Sequence, residues 1–166
     1  MKVLLYGGLV LLLVPLHTTV LPHASILGVS PDAGLVIAAL VGLVGGELEG
    51  LAVGVAIGWL LNMYSAGDLW LSLVTKGGAG LLAGIMGRQV AQVTPMVLSL
   101  GLLVLSLLGG LVAVFSMKSV ELPDSWWMVQ SIVLPQACFD AALGAGLFWL
   151  INQRIMIDRL RPFDRL

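Results

Sequence analysis

Charge is scarce in this chain. Asp, Glu, Lys and Arg make up 10% of its 166 residues, where a soluble globular domain carries about 25%. No polar stretch is long enough to bury a core of its own, so a separate soluble domain is not expected. Net charge is −1, which excludes a basic surface for nucleic acid. Two histidines and one cysteine, with no C-x-x-C, no H-E-x-x-H and no Cys/His cluster, leave no metal-site pattern. Cys138 stands in an apolar run without a disulfide partner and reads as a small core residue. His17 and His23 flank one end of the first apolar run without a nucleophile–base arrangement. Gly77-Gly78 follows Lys76, but no strand precedes it and no G-K-[ST] closes it, so no phosphate loop is present. The expectation is a protein that is not an enzyme and holds no cofactor.

What the chain has is apolar surface. Hydrophobic residues are 59% of the total and the mean hydropathy is +1.06. The few charges sit mostly between long apolar runs, as in a chain solvated by lipid. The expected fold class is an all-α polytopic membrane protein, one domain over 1–166, with six spans at about 3–21, 31–46, 50–64, 70–87, 95–116 and 130–152. The first run mimics a secretory signal. Pro22 makes a poor cleavage site after it, so a retained first span is expected. Ser30-Pro31-Asp32 has the residue types of a helix start: an N-cap, a proline at the first helical position and an acid at the positive end of the dipole. The second and third spans are short for a hydrocarbon core of about 30 Å. Arg154, Arg159, Arg161 and Arg165 crowd the C-terminus and Arg88 falls between the fourth and fifth spans. As topogenic charges they predict N-in, C-in. Tyr64, Trp70, Trp126 and Trp127 then mark the outer interface and Trp149 the inner one. The segment 117–129, with Pro123 and two tryptophans, is expected as a loop on the outer leaflet.

Three groups of residues are candidates for function. Gly46, Gly50, Gly54 and Gly58 recur every fourth residue and form one small-residue stripe, and Gly80 and Gly84 repeat the spacing. Such a stripe lets a second helix approach closely. The second helix is either the chain's own fourth span or the helix of a partner docking on Gly50, Gly54, Gly58 and Asn62. Lys76 and Asp140 lie inside expected spans at depths about one turn apart. An ionisable group costs roughly 2.5–3.5 kcal/mol at a helix centre, so the two are expected to pair and fix the packing of spans four and six. A proton or ion relay is the alternative. Glu47 and Glu49 fall in a tight inner turn, read as solvated or as an acidic site facing a partner. The arginine-bearing tail reads as an anchor at anionic headgroups.

The order of these features resembles the MreD family of the bacterial rod-shape machinery. Two stretches carry the resemblance. One is Pro31-Asp32 opening an apolar helix. The other is Gly50-x-x-x-Gly54-x-x-x-Gly58-x-x-x-Asn62, then Ser65-Ala66-Gly67, then a span ending Ala83-Gly84-x-x-Gly87-Arg88. The chain departs from the family at Asn62, where an Asp is typical, and at Thr75-Lys76, where apolar residues are expected. The resemblance implies a fold similar to the six-helix substrate-binding S-components of energy-coupling-factor transporters. It also implies a non-enzymatic scaffold in the bacterial inner (plasma) membrane that binds an MreC-like protein. Such a scaffold links the MreB filament to peptidoglycan synthesis by RodA and a class-B transpeptidase. The rival reading is an S-component that binds a vitamin through a polar pocket open to the outside. A proton-coupled transporter built on Lys76 and Asp140 ranks third, since no internal repeat of broken helices is visible.

Overall fold

In a computed structural model, residues 2–20, 23, 25, 28–64, 68–89, 94–116 and 122–159 are described, with the side chains of 2, 3, 5, 89, 122–124 and 151–159 excepted. Among these residues the architecture is helical throughout, without strands. Helix α1 (Lys2–Pro15) runs on into a π-helical turn, Leu16–Val20. Pro15 lacks an N–H and its ring crowds the preceding turn. The hydroxyls of Thr18 and Thr19 donate to the carbonyls of Val14 and Pro15 where the ladder is disturbed. Helices α2 (Ala33–Gly45), α3 (Glu47–Met63), α4 (Leu69–Gln89) and α5 (Pro95–Ser116) follow. Helix α6 (Leu122–Met128) passes through a π turn, Val129–Val133, into α7 (Leu134–Arg159) as one rod.

Six helical stretches therefore stand where six were expected, and two boundaries move. Residues 122–128 are helix rather than loop, because Pro123 falls in the first turn, where a missing N–H costs no hydrogen bond. The turn between α2 and α3 is a single residue. Gly46 has φ +101°, donates its N–H to the Gly42 carbonyl at 2.8 Å, and α3 starts at once with Glu47. Positive φ is where glycine is free of the steric penalty of a Cβ. Glu47 and Glu49 thus lie in the first turn of α3, where an acid suits the helix dipole.

Three segments are long and apolar enough to cross a membrane: Leu69–Arg88, Pro95–Ser116 and Ser125–Leu150. Helix α2, with 13 residues, is only ~20 Å long at 1.5 Å per residue. It is the central helix. Eight of those 13 residues are buried, almost all around its axis, as expected of an enclosed helix. One side meets α1 and α3 in a cluster that includes Leu13, Ala38, Val53 and Ile57. The other side meets α4 and α5 through Val36, Ala39, Ala83 and Leu102. The outside is the apolar part. Along α5, Met96, Leu100, Val104, Leu108, Val112 and Phe115 are exposed. They form a greasy outer stripe opposite the buried Leu98, Leu102 and Ser106.

The glycine stripe of α3 is used within the chain. A Cβ at Gly58 would come within 2.7 Å of the Ser72 carbonyl oxygen, and one at Gly54 within 2.7 Å of the Lys76 carbonyl carbon. At Gly50 it would strike both Gly42 of α2 and the Gly80 carbonyl of α4. Helices α2, α3 and α4 therefore touch backbone to backbone, and no partner helix has access to Gly50, Gly54 or Gly58. This corrects the docking alternative: the spacing specifies close approach, and the fourth helix of the same chain supplies it.

A Gly54→Ala variant should lower the melting temperature in mild detergent, through overpacking worth about 1–3 kcal/mol. Gly78→Ala, whose Cβ would meet nothing within 4 Å, should leave it unchanged or raise it. Equal melting of the two variants would show that α3 and α4 are not in backbone contact.

Candidate functional site

The polar residues of the interior converge at one end of the bundle. There the N-terminus of α2, the end of α3, the start of α4, the last third of α5 and the π turn before α7 meet. Asp32 is the N-cap of α2, and its Oδ1 accepts from the Leu35 N–H at 3.1 Å. Its other oxygen lies 2.9 Å from Nζ of Lys76. The lysine stem passes over Gly34, where a Cβ would come within 3.0 Å of Cε. Lys76 and Asp32 are only 12% and 18% exposed.

Asp140 belongs to the same cluster but does not pair with the lysine. It is fully buried. Its Oδ1 accepts the backbone N–H of Asp32 at 2.6 Å, and its Oδ2 accepts the hydroxyl of Ser106 at 2.5 Å. The expected Lys76–Asp140 ion pair is thus replaced by a chain from Lys76 through Asp32 to Asp140 and Ser106, running across α4, α2, α7 and α5. The physical reason is that one carboxylate serves twice. Asp32 caps its helix with one oxygen and neutralises Lys76 with the other. Asp140 then takes the amide of the cap residue, which has no acceptor within α2.

A cavity of about 240 Å³ opens beside this chain. Asp32, Asn62, Asp68, Lys76, Ser106 and Gln136 are among the residues around it. A second space of about 230 Å³ adjoins it and shares Asp32 and Gln136. His17 borders the second space, and its Nδ1 is buried without a hydrogen-bond partner among the described residues. Of the residues expected to dock a partner, only Asn62 lies outside the glycine packing, at the wall of the first cavity.

The opposite end is held by different pairs. Arg88, expected as a topogenic charge, is mostly exposed and reaches Glu47 at 2.8 Å. The Tyr6 hydroxyl donates to Glu49. Neither acid of the turn is therefore simply solvated. Arg154 and Arg159 lie on α7 with their side chains outside the described set, and Arg161 and Arg165 fall outside the described residues altogether. Tyr64, Trp70, Trp126, Trp127 and Trp149 are all exposed. Cys138 is exposed too, which corrects its reading as a core residue. It lies one position from the buried Ala137, on a face of α7 turned away from the bundle.

Asp68, Ser106 and Gln136 are site residues that sequence reasoning missed, and Asp32 was read only as the acid of a helix start. Ser106 carried a signal, since it continues the four-residue spacing of the buried Leu98 and Leu102. Gln136 is polar in an otherwise apolar stretch and carried none beyond that. Among the described residues no group of three or more His, Cys, Asp or Glu is placed to hold a metal ion. Comparisons with protein-family models, with curated proteins and with solved structures find no match to this chain.

Removing one member of a buried ion pair costs about 3–5 kcal/mol, because the other is left uncompensated. Lys76→Met should destabilise the protein on that scale, and Asp32→Asn in the same chain should recover part of the loss. Double-mutant cycles of unfolding in detergent should give Lys76 a larger coupling with Asp32 than with Asp140. The reverse order would make Asp140 the true counter-ion.

Proposed function

We propose that the chain is a non-enzymatic membrane scaffold of the MreD type. In this reading it crosses a bacterial plasma membrane six times with both termini inside. It binds an MreC-like single-span protein and through it connects MreB filaments with RodA and a class-B transpeptidase. The observation that carries the reading is where the residues behind the resemblance lie. Asp32, the glycines at 50, 54 and 58, Gly84 and Arg88 all sit in the junctions of α2, α3 and α4. They make a rigid core, and a scaffold needs rigidity more than it needs reactive groups.

The outward surfaces suit a partner in the membrane. An apolar groove of about 420 Å³ runs between α1 and α3, with the small residues Gly7, Ala52 and Ala56 in its wall. With the glycine stripe occupied by α4, this groove is the remaining small-residue surface on α3, and small residues favour close helix approach in lipid. The short α2 and α3 lie behind α1 and the long helices, so a six-span arrangement does not require each helix to cover the full ~30 Å core.

The test is a mild-detergent pull-down of the tagged protein from its native membrane, with co-purified proteins identified by mass spectrometry. Recovery of an MreC-like protein is expected. Ala52→Leu, which fills the groove, should reduce that recovery about tenfold, equivalent to about 1.4 kcal/mol, while insertion and melting stay as in the parent. Recovery of a coupling subunit with ATPases would overturn the scaffold and establish the S-component instead.

A further inference from the structure

The cavity beside Lys76 has a donor–acceptor balance that defines a ligand class. Three hydroxyls belong to residues in its wall, and each has its proton committed elsewhere. Ser72 donates to the Gly58 carbonyl at 3.2 Å, Thr75 to the Leu71 carbonyl at 2.8 Å, and Ser106 to Asp140. What these oxygens have left to offer is lone pairs. Lys76 is the cation of the wall, and Asp32 already neutralises it. Asp68, at the end of the bundle before α4, is exposed and accepts the Trp70 N–H at 3.1 Å. No cation pairs with it among the described residues. A further carboxyl, Asp140, stands directly behind Ser106. The side-chain amide of Gln136, on the boundary with the second space, makes no hydrogen bond among the described residues. Asn62 and Gln136 each bring an amide that can accept or donate, so the wall offers acceptors from Asp68, the three hydroxyls and the two amides and carries more acid than base. An anion entering it would have to displace Asp32 from Lys76 and face Asp68.

We propose that this cavity binds a primary ammonium group, whether carried by a small free solute or by a lipid headgroup. An ammonium brings three donors and a positive charge, and charge-assisted hydrogen bonds to a carboxylate are the strong ones. Asp68 meets the charge at the mouth, the spent hydroxyls accept within, and the Gln136 carbonyl completes the set. The site is independent of the partner reading, since it needs no second protein.

The test uses the full chain in phosphatidylcholine nanodiscs with ethanolamine as probe, by equilibrium dialysis at low salt. Saturable binding is expected, with glycerol and acetate failing to compete. Asp68→Asn should weaken ethanolamine binding about tenfold or more, the scale of one charge-assisted hydrogen bond. Gln136→Leu should weaken it severalfold. Asn keeps the cap that exposed Asp68 gives the Trp70 N–H, and the Gln136 side chain has no described partner, so both variants should melt as the parent does. Adding phosphatidylethanolamine to the nanodiscs distinguishes the sources. Loss of ethanolamine binding identifies the headgroup as occupant, and unchanged binding identifies the free solute. Absence of saturable binding, equal competition by glycerol or acetate, or parent-like affinity in both variants would overturn the proposal.

Discussion

Asp32 is the residue on which the arrangement of helices depends. Its carboxylate caps α2 and neutralises Lys76 of α4, and its amide serves Asp140 of α7, which in turn holds Ser106 of α5. In water such a chain would compete with solvent for every bond. In a hydrocarbon surrounding that competition is confined to the polar cavity, and association of helices rests on polar contacts and close packing because lipid tails are as apolar as leucine. The outward stripe of α5 could face lipid from many rotations of the helix. The Ser106–Asp140 bond selects one of them.

The second constraint is steric and runs along the bundle, from Gly58 beside the polar cavity to Gly84 at the opposite end. Glycines at 42, 50, 54, 58, 80 and 84 bring three backbones together, and Gly46 turns the chain between two of them in one residue. The two devices divide the bundle. Close packing holds α2, α3 and α4 as a tight unit, and the buried polar chain attaches α5 and α7 to it. Helix α1 lies against α2 and α3 with apolar grooves on both flanks, the least embedded of the set.

Much of this was legible in the sequence, for definite reasons. Apolar runs separated by charges located the helices, and Ser30-Pro31-Asp32 marked the start of α2, because both signals are local. The identity of partners was not local. Spacing by four residues told that α3 approaches some helix closely without telling whose, and α4 proved to be the answer. Lys76 and Asp140 were found as buried charges, yet Ser30 was read as the cap and Asp32 only as an acid suited to the helix dipole; Asp32 is the cap, and sequence does not reveal that one carboxylate holds two positions at once. The helix at 122–128 was hidden by Pro123 and two tryptophans, which look the same in a loop as in a first turn. Ser106 and Gln136 are single polar residues in apolar helices, and only the packing shows which way they face.

The shortness of α2 has an electrical consequence. The helix covers ~20 Å of a hydrocarbon core of ~30 Å, and the polar cavity lies at its capped end. For a protein set across a membrane, water in that cavity would carry the potential of one side inward as far as Asp32. The voltage difference would then fall over about two thirds of the usual distance, and the local field along α2 would be about half as strong again. Lys76 and Asp32 sit at the edge of that steepened field, opposite charges held 2.9 Å apart. Paired in this way they form a dipole rather than a net charge, and a dipole couples to membrane voltage far more weakly than an unpaired lysine would.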